Sequence, residues 1–403
     1  MDKERSPHDR KSWYLFRRVF NDFGFGKDIR VYGISNWIID LYRSTFKQQN
    51  IYDKKVENRN YHVSLLSIVI SFARDIVVYG FLIFWVIDGR IDIADFTMLF
   101  LAIAAFSLLM QQISTDIAFV HSQDERFIEY RKFMNLPEEE TKSGKMSAPT
   151  PMQNGYEIEF KNIWFRYPRQ EKYIFENFNL KIADGEKLAI VGLNGAGKTT
   201  LVKLLTRLYD PEKGEILLNG TNIKEIDILE YRKIISAVFQ EITLIATTLA
   251  GNLTYIWDGY DSEQLEKAMK LSGFYDKYKT FENGMDTQVL KYLHSDGIDF
   301  SGGEIQKIAI TRALYKDGSI MILDEPTASL DAIAEYELYN GLAELSKGKT
   351  VIFVSHRLAS TSFCDRIALI GEGGIIEIGT HEELANQKGV YYEMFETQAK
   401  AYQ

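Results

Sequence analysis

Three features are scarce or missing in this sequence of 403 residues, and each shortage excludes a class of protein. Cys364 is the one cysteine, so an internal disulfide is excluded and a reducing compartment is indicated. The apolar core of a signal peptide is missing behind residues 1–11, so we expect a cytosolic start. The formal net charge is −9, so a nucleic-acid partner is not expected.

Long apolar runs, in contrast, occur twice before residue 121, at 62–87 and 96–120. As a helix, the first run would span roughly 39 Å, enough to cross the hydrocarbon core of a bilayer. The alternative is a pair of buried helices in a soluble core. That alternative is disfavoured because only the short polar turn 88–95 separates two runs of this length. The pattern therefore predicts a membrane hairpin.

The distribution of basic residues predicts how this hairpin is oriented. Residues 1–60 carry many lysines and arginines, the turn carries only Arg90, and Arg126, Arg131 and Lys132 follow the second run. Basic residues are enriched on the cytoplasmic side of a membrane. We therefore expect a multi-pass protein of the cell membrane with both ends of the hairpin in the cytoplasm.

Three ionisable residues, Arg74, Asp75 and Asp116, fall inside the apolar runs. Adjacent helical positions point about 100° apart, so Arg74 and Asp75 are expected to need partners elsewhere in an assembly. Polar pairing between helices is favoured over contact with a substrate, and both remain open.

Residues 11–50 are rich in aromatic, aliphatic and basic residues and predict a helix that is interrupted near Gly24 and Gly26. Such a segment either lies on a membrane surface or docks on a protein, and its periodicity does not separate the two. Residues 136–154 are polar, contain proline and have no period, which predicts a linker.

Beyond this linker the pattern is that of an α/β domain over residues 155–403. Residues 157–167 alternate as a strand does, and Asn219-Gly220 is a hairpin-turn signal. Strands then alternate with helical patterns. We expect a nucleotide-binding α/β fold with some antiparallel sheet at its start.

A phosphate-binding loop is predicted between the apolar strand pattern 187–191 and the helical pattern 201–208. The stretch fits G-x-x-x-x-G-K-[ST], and its glycines allow backbone N–H groups to surround phosphate oxygens. Lys198 is expected to reach the β- and γ-phosphates, and the Thr199 hydroxyl to ligate Mg²⁺. A chance glycine-rich turn is disfavoured by the flanking patterns. The expected nucleotide-binding residues here are Gly192, Asn194, Gly195, Ala196, Gly197, Lys198, Thr199 and Thr200.

A pair of acids ends the apolar strand pattern 319–323. Asp324 is placed to hold Mg²⁺ directly or through water, and Glu325 to accept a proton from the attacking water. Alone, the pair would be read as ordinary strand-end acids. Downstream of a phosphate loop it predicts the metal and catalytic carboxylates of a nucleoside triphosphatase.

The segment 300–306 provides a third element. Ser301 and Glu304 form a capping box, and Gly302 and Gly303 leave the helix N-terminus open to an anion. A well-capped helix is the simpler interpretation. The segment stands 23 residues before Asp324 (324 − 301), however, and the pairing of these two elements is highly specific.

Together these motifs resemble the ATP-binding cassette family, in particular the exporters whose membrane half precedes the ATPase. The resemblance covers the chain from about residue 155 and implies an α/β P-loop NTPase after an all-α transmembrane segment, 1–135. It implies that Tyr167 stacks on adenine and that Gln240 links the Mg²⁺ site to the membrane domain. It also implies that Asp331, in the loop 329–331, contacts nucleotide and that His356 holds the γ-phosphate and water.

In that family two cassettes stack head to tail and bind ATP and Mg²⁺ between them. The resemblance implies that Ser301 and Gly303, with Gly302, contact ATP held by a second cassette-bearing subunit, identical or different. Phe300 and Glu304 replace the commoner leucine and glutamine of this motif. Glu304 can still form the capping box with Ser301, so ATPase activity is expected.

The resemblance extends weakly to the first 135 residues. Residues 21–36 resemble the cytoplasmic loop between membrane helices four and five, which makes the apolar runs helices five and six. Helices one to four are absent, so we expect a natural fragment, a mis-started reading frame or a piece of a split transporter.

The resulting hypothesis is an ATP-driven exporter subunit with an unknown transported substrate. The alternative is a membrane-anchored ATP-binding protein that modulates a complete partner transporter. A soluble cassette acting on ribosomes or DNA is disfavoured by the hairpin and the acidic balance.

Overall fold

The computed structural model describes residues 9–21, 23–135, 144–291, 294–327, 335, 348–361 and 363–401. By its internal contacts the chain divides into two units, Met1–Asn135 and Leu136–Gln403. Each unit has its own secondary structure, helical in the first and mixed in the second.

The described part of the first unit consists of helices. In chain order these include a π-helical turn at Leu15–Phe20, a 3₁₀ turn at Phe23–Phe25, α1 at Gly26–Tyr32, α2 at Ser35–Ile87 and α3 at Ile93–Met134. The interruption expected near Gly24 and Gly26 is present as the 3₁₀ turn. A second interruption follows α1, where Gly33 has a left-handed backbone with φ of +63°.

A small apolar cluster attaches the first segment to the start of α2. Leu15, Val19 and Ile38 are buried, and Phe25 and Leu41 are among the half-buried residues packed on them. At least one face of residues 11–50 therefore packs within the chain. Aromatic residues outside the cluster stay exposed, including Trp13 at 61% and Phe16 at 53%.

The helices α2 and α3 form a hairpin and are long and apolar enough to cross a membrane. The most apolar part of α2 is 6% buried and that of α3 is 0% buried, whereas the core helix of a soluble protein is mostly buried. Tyr79 and Phe100 pack across the hairpin with ring centroids 4.7 Å apart. Asp92 caps α3 by accepting a hydrogen bond from the Asp95 N–H at 2.7 Å.

The three ionisable residues inside the apolar runs have partners in their own helices. Arg74 donates to Asp75 Oδ1 from Nε at 3.0 Å and from Nη2 at 2.8 Å. The expectation that these two residues need partners elsewhere is therefore wrong, because the long arginine side chain bends back to its neighbour. Asp116 accepts a hydrogen bond from Gln112 Nε2, one turn away, at 3.0 Å.

The second unit contains two sheets. Its strands are β1 Ile158–Phe165, β2 Phe175–Ile182, β3 Lys187–Val191, β4 Lys213–Leu218, β5 Thr221–Asn222, β6 Ile235–Val238, β7 Ile320–Asp324, β8 Thr350–Val354, β9 Arg366–Gly371 and β10 Gly374–Gly379. The antiparallel sheet has the order β2-β1-β4-β5, and the second sheet has the order β10-β9-β3-β8-β7-β6. In the second sheet all pairs are parallel except β9 with β10. The antiparallel sheet expected at the start of the domain is confirmed.

The described helices of this unit lie between and after the strands. They are α4 Lys198–Leu205, α5 Ile228–Lys233, α6 Leu249–Thr254, α7 Ser262–Leu271, α8 Tyr275–Tyr278, α9 Gly302–Lys316, α10 His381–Gln387 and α11 Val390–Ala401, with 3₁₀ turns at Gly284–Asp286 and Leu358–Thr361.

The turn between β4 and β5 has the conformation that its sequence predicts. Asn219 and Gly220 both have positive φ, +48° and +80°, as a two-residue type I′ hairpin requires. Asn219 Oδ1 also accepts a hydrogen bond from the Glu157 N–H at 2.8 Å, which ties the turn to the start of β1.

The described end of the predicted linker is hydrogen-bonded to later residues of the second unit. The Met146 N–H donates to the Glu225 carbonyl at 3.0 Å, and the Met146 carbonyl accepts from the Asp227 N–H at 2.7 Å. Polar composition predicted an irregular segment here, but the backbone of such a segment still pairs with its neighbours.

The centre of the parallel sheet is buried on both faces. Leu188 and Ile190 of β3 belong to one core cluster, and Ala189 and Val191 belong to another. Every residue of β7 and β8 is buried as well. Continuous apolar strands of this kind are typical of parallel sheets that are covered on both sides.

Candidate nucleotide-binding site

The strand order brings the carboxyl ends of β3, β7 and β8 to one edge. β8 lies between the other two strands, and Val354 pairs with both Ile190 and Asp324. The segments that follow these strands are the phosphate loop, the acid pair and the loop of His356. In open α/β sheets, ligands bind at this edge.

The phosphate loop joins β3 to α4 through glycines with left-handed backbones. The φ values are +152° at Gly192, +82° at Gly195 and +104° at Gly197. A Cβ atom at Gly192 would stand 2.3 Å from the Ile370 carbonyl oxygen, and one at Gly197 would stand 2.9 Å from Phe175 Cζ. A side chain is therefore excluded at both positions, and the loop keeps the backbone path that leads into the N-terminus of α4.

The loop is exposed at its crest and buried at its base. Asn194 and Gly195 are exposed and Ala196 is half-buried, with its N–H donating to the Leu193 carbonyl at 3.2 Å. Gly197 and Thr200 are buried. The crest is thus open to a ligand while the base is fixed in the core.

Lys198 is 7% exposed and points back into its own loop. Its Nζ donates to the carbonyl oxygens of Gly192 at 2.9 Å and Leu193 at 3.1 Å. Burial lowers the pKa of this ammonium, while the charges of Glu325 and Asp324 act to raise it. Neutral carbonyls stabilise a buried ammonium less than an anion does, so the position favours a phosphate partner.

Asp324 is 1% exposed, and neither carboxylate oxygen has a hydrogen-bond partner among the described residues. Burial raises the pKa of this carboxyl to about 6. The Thr199 hydroxyl acts to lower that pKa, although it does not reach hydrogen-bonding geometry with either oxygen, and the Glu325 charge acts to raise it. Unpartnered carboxylate oxygens beside a hydroxyl are ligands that Mg²⁺ prefers, so these residues fit the ion.

Glu325 stands at the centre of the site in a left-handed conformation with φ of +52°. Its backbone N–H donates to the Val354 carbonyl at 3.0 Å, and its carbonyl accepts from Gln306 Nε2 at 2.9 Å. Its carboxylate has Oε1 at 3.2 Å from His356 Nδ1 and accepts from Gln240 Nε2 on Oε2 at 3.0 Å. Three loops therefore meet at one carboxylate.

Tyr167 lies beside the helix that follows the phosphate loop. Its hydroxyl is 3.1 Å from the Thr200 Oγ1, and its ring meets the ring of Tyr209 edge-on at 5.2 Å. Lys203 Nζ lies 5.3 Å from the ring centroid. An aromatic face is thus held close to the base of the phosphate loop.

Ser301 caps α9, and the capping box predicted from the sequence is confirmed. Ser301 Oγ accepts from the Glu304 N–H at 3.4 Å, and Glu304 Oε2 accepts from the Ser301 N–H at 2.8 Å. Glu304 Oε1 also pairs with Lys277 Nζ at 2.9 Å. Ser301 and Gly302 are exposed, and Gly303 is half-buried.

The structure thus brings together the phosphate loop, Gln240, Asp324, Glu325 and His356. The side-chain bonds of Ser301 lie within its own helix cap. The predicted site residue Asp331 lies outside the described residues.

The contact made by Gln306 is not apparent from the sequence pattern. This residue follows the Ser-Gly-Gly-Glu motif on α9 and is 5% exposed. Its buried amide joins α9 to the backbone of Glu325. The available signal was a glutamine on the apolar face of a predicted helix.

The chain is similar to known ABC transporters. A family model described as ABC transporter matches residues 175–328. The chain is 32% identical to the subtilin transport ATP-binding protein of Bacillus subtilis over 404 residues, covering 98% of this chain and 64% of that protein. It is 37% identical to the ATP-dependent lipid A-core flippase of Escherichia coli K12 over 243 residues, covering 60% of this chain and 41% of the flippase.

A solved structure of a bacterial Atm1-family ABC exporter with ATP bound has a similar fold, with a TM-score of 0.83 and 25% identity. The match covers 98% of this chain and 69% of the exporter chain. The chain thus spans less than two thirds of the length of the two curated relatives described above.

Proposed function

We infer that the chain belongs to the ATP-binding cassette transporters of the exporter type, with helical and ATPase parts in one polypeptide, and from this we propose that it hydrolyses ATP to drive transport across a membrane. The observation that carries the proposal is the carboxylate of Glu325, held between His356 and Gln240 beside the phosphate loop. The ATPase domains of this family bind ATP, in general with Mg²⁺.

Binding of ATP begins at the phosphate loop in this proposal. The backbone N–H groups of residues 192–200 surround the β-phosphate, and Lys198 exchanges the carbonyls of Gly192 and Leu193 for phosphate oxygens. Tyr167 offers its ring to the adenine. The lowered pKa of Lys198 supports this step, because an anion would stabilise the charged form that burial disfavours.

Thr199, Asp324 and Gln240 would hold Mg²⁺, which would neutralise charge on the β- and γ-phosphates. The unpartnered oxygens of Asp324 support this assignment. Gln240 already donates to Glu325 through Nε2, so its side chain connects the proposed metal ligands with the catalytic carboxylate.

Glu325 is the proposed general base. It takes a proton from water that attacks the γ-phosphate, and such a base contributes about 10²- to 10⁴-fold to a rate. His356 directs Nδ1 towards Glu325, which leaves Nε2, on the far side of the ring, for the γ-phosphate. His356 is 47% exposed at its side chain and Glu325 is 15% exposed, so the nucleotide can reach the first while the second is sheltered.

A second cassette completes the site. Exporters of this family act as dimers, and we assign Ser301, Gly302 and Gly303 to contacts with ATP on the facing subunit, identical or different, and Asp331 to a nucleotide contact. The exposed position of Ser301 and Gly302 at the N-terminus of a 15-residue helix supports this role.

In this proposal residues 1–135 form the transmembrane domain, 136–154 form a linker and 155–403 form the cassette. The spans 62–87 and 96–120 cross the cell membrane, and the cassette faces the cytoplasm. The low burial of the apolar parts of α2 and α3 supports this arrangement. The transported substrate is not assigned.

The test is ATP turnover by the full chain in lipid vesicles with Mg²⁺. We expect turnover in the parent, and in Lys198→Ala an ATP Kd that is 10- to 100-fold higher, about the effect of losing a hydrogen bond from a charged group. The control Lys172→Ala removes an exposed lysine outside the site and should bind ATP as the parent does. Equal ATP affinity in Lys198→Ala and Lys172→Ala would refute the phosphate assignment.

A further inference from the structure

We propose that Gln398, near the end of the C-terminal helix α11, is a positioning residue that holds the His356 loop against Glu325. This inference rests on the proposed ATPase function and adds α11 to the elements that build its site. Its basis is a pair of hydrogen bonds between one side-chain amide and the backbone of the His356 loop.

The two hydrogen bonds lie on either side of Arg357. Gln398 Nε2 donates to the His356 carbonyl at 2.7 Å, and Gln398 Oε1 accepts from the Leu358 N–H at 2.9 Å. A primary amide that donates and accepts in this way imitates a neighbouring strand. It fixes the backbone on both sides of one residue and so limits the directions in which the His356 ring can point.

His356 needs such support because packing does not hold it. Its side chain is 47% exposed, yet Nδ1 stands 3.2 Å from Glu325 Oε1. Leu358 is 1% exposed and anchors the far end of the loop in the core. The hydrogen bond from Gln398 to the His356 carbonyl therefore restrains the loop at the point where it leaves the core.

The rest of the loop is held from other directions. Arg357 Nη1 pairs with Glu335 Oε2 at 2.6 Å, and Thr327 Oγ1 donates to Glu335 Oε1 at 2.9 Å. The Arg357 N–H donates to Ser355 Oγ at 2.9 Å. These contacts fix Arg357, while Gln398 fixes the backbone of His356 itself.

α11 is a firm base for this contact. Tyr391 is fully buried, and its hydroxyl lies 2.7 Å from His381 Nδ1. The carboxylate of Glu377 accepts from the Val390 N–H at 2.7 Å and from the Tyr391 N–H at 3.1 Å, which secures the first turn. Gln398 stands seven residues after Tyr391, and therefore on the same face of the helix.

Residues on that face are otherwise apolar, since Met394 and Phe395 pack with Tyr391 in the core. A polar residue in such a stripe is stable when its amide is satisfied, and here the loop satisfies both of its groups. The position of Gln398 is thus explained by the contact it makes with the His356 loop.

The test compares full-length variants in lipid vesicles. Gln398→Ala should lower kcat for ATP about tenfold. The KM for ATP should stay within twofold of the parent, because the substitution does not alter the phosphate loop. Thr397→Ala is the matched control, since the Thr397 hydroxyl donates only to Glu393 of its own helix among the described contacts, and it should retain the parent kcat.

A double variant separates positioning from general stability. If Gln398 acts through His356, adding Gln398→Ala to His356→Ala should slow turnover no further. A further tenfold loss in the double variant would overturn the proposal, as would a parent-like kcat in Gln398→Ala.

Two additional measurements keep the proposal testable if Gln398→Ala folds poorly or if the parent does not hydrolyse ATP. Gln398→Glu keeps the size and the acceptor for the Leu358 N–H, so it should fold. Its second carboxylate oxygen faces the His356 carbonyl oxygen and repels it, so we expect a kcat no higher than that of Gln398→Ala. A parent-like kcat there would contradict the need for the donor. Hydrogen exchange in the peptide spanning 355–361 should speed up severalfold in Gln398→Ala and stay unchanged in Thr397→Ala.

Absence of ATP hydrolysis by the parent would refute the proposed function. The exchange measurement would still decide whether Gln398 holds the loop, and unchanged exchange in Gln398→Ala would refute that claim.

Discussion

Asp324 is an ionisable residue whose surroundings disfavour its charge unless a cation is bound. Burial is the largest cause that raises its pKa, from the ordinary 3.8 to about 6. The difference corresponds to about 3 kcal/mol against the ionised carboxyl. A divalent cation at this position would favour the charged form and remove the penalty. The same residue thus destabilises the metal-free fold at neutral pH and attracts the metal.

The effect of pH on Asp324→Asn follows from the sign of this shift. The folded pKa lies above that of an unfolded chain, so the parent loses stability as the pH rises from about 4 to about 6, and asparagine does not titrate. We expect Asp324→Asn to raise the free energy of unfolding of the Mg²⁺-free chain by up to about 3 kcal/mol at pH 8. The gain should disappear near pH 4.

Denaturant unfolding at pH 4, 6 and 8 measures this effect, with Asp258→Asn as the control because Asp258 is exposed. Added Mg²⁺ should stabilise the parent and leave Asp324→Asn unchanged. If Asp324→Asn is no more stable than the parent at pH 8, the carboxylate has a partner that the metal-free structure does not account for.

At the scale of elements, the N-terminus of α9 combines a cap with a proposed ligand contact. Glycine is nearly as good an N-cap as serine, so Ser301→Gly should change stability by only a few tenths of a kcal/mol. It removes the hydroxyl that is assigned to the ATP of the facing subunit. We expect kcat to fall about tenfold while the melting temperature stays within about 2 °C of the parent.

The chain provides a matched control for that experiment in a second capping box, at the start of α10. Thr380 Oγ1 accepts from the Glu383 N–H at 3.2 Å, and Glu383 Oε2 accepts from the Thr380 N–H at 2.8 Å. Thr380→Gly should therefore alter the helix cap and leave kcat unchanged. If Ser301→Gly and the parent have equal kcat, Ser301 acts only as a helix cap and its assigned contact with ATP is wrong.

Elements with a strong local signal were predictable from the sequence. The apolar run before Gly192 and the run that ends in the acid pair predict strands whose ends the structure confirms within about two residues, and the Ser301 cap predicts the start of α9. In these segments burial on both faces, turn geometry or capping fixes the structure through neighbours in the chain. The same holds for the Asn219-Gly220 turn.

Contacts between distant segments were not predictable in this way. Gln306 and Gln398 are single polar residues on helices, and nothing in the local pattern says that one reaches Glu325 and the other the His356 loop. The pairing of Arg74 with Asp75 was missed because backbone geometry alone ignores the reach of an arginine side chain. The position of His356 came from the family resemblance.

For the whole molecule, the orientation of the hairpin is the statement that labelling tests most directly. Burial raises the pKa of the Cys364 thiol, but Cys364→Ser still gives the cleanest background. In that background Arg90→Cys should react with an impermeant thiol reagent added to intact cells, and Lys145→Cys should react only after the membrane is opened. The reason is that basic residues flank both ends of the hairpin and only Arg90 lies in its turn.

Arg90 suits this purpose because it is 63% exposed at its side chain and, unlike Asp92, does not cap α3. Labelling of Lys145→Cys but not Arg90→Cys in intact cells would contradict the proposed orientation of the hairpin.

The fate of ATP bound to Glu325→Gln tests most directly whether this chain hydrolyses ATP through Glu325. Vesicles that carry the full chain receive limiting labelled ATP with Mg²⁺, and ATP and ADP on the protein are counted over time. We predict that the parent converts bound ATP to ADP, whereas Glu325→Gln binds ATP with similar affinity and converts it at least about 100-fold more slowly. Glu382→Gln, which removes an exposed carboxylate on α10, should behave as the parent does. Conversion by Glu325→Gln at the parent rate would contradict the assignment of Glu325 as the base.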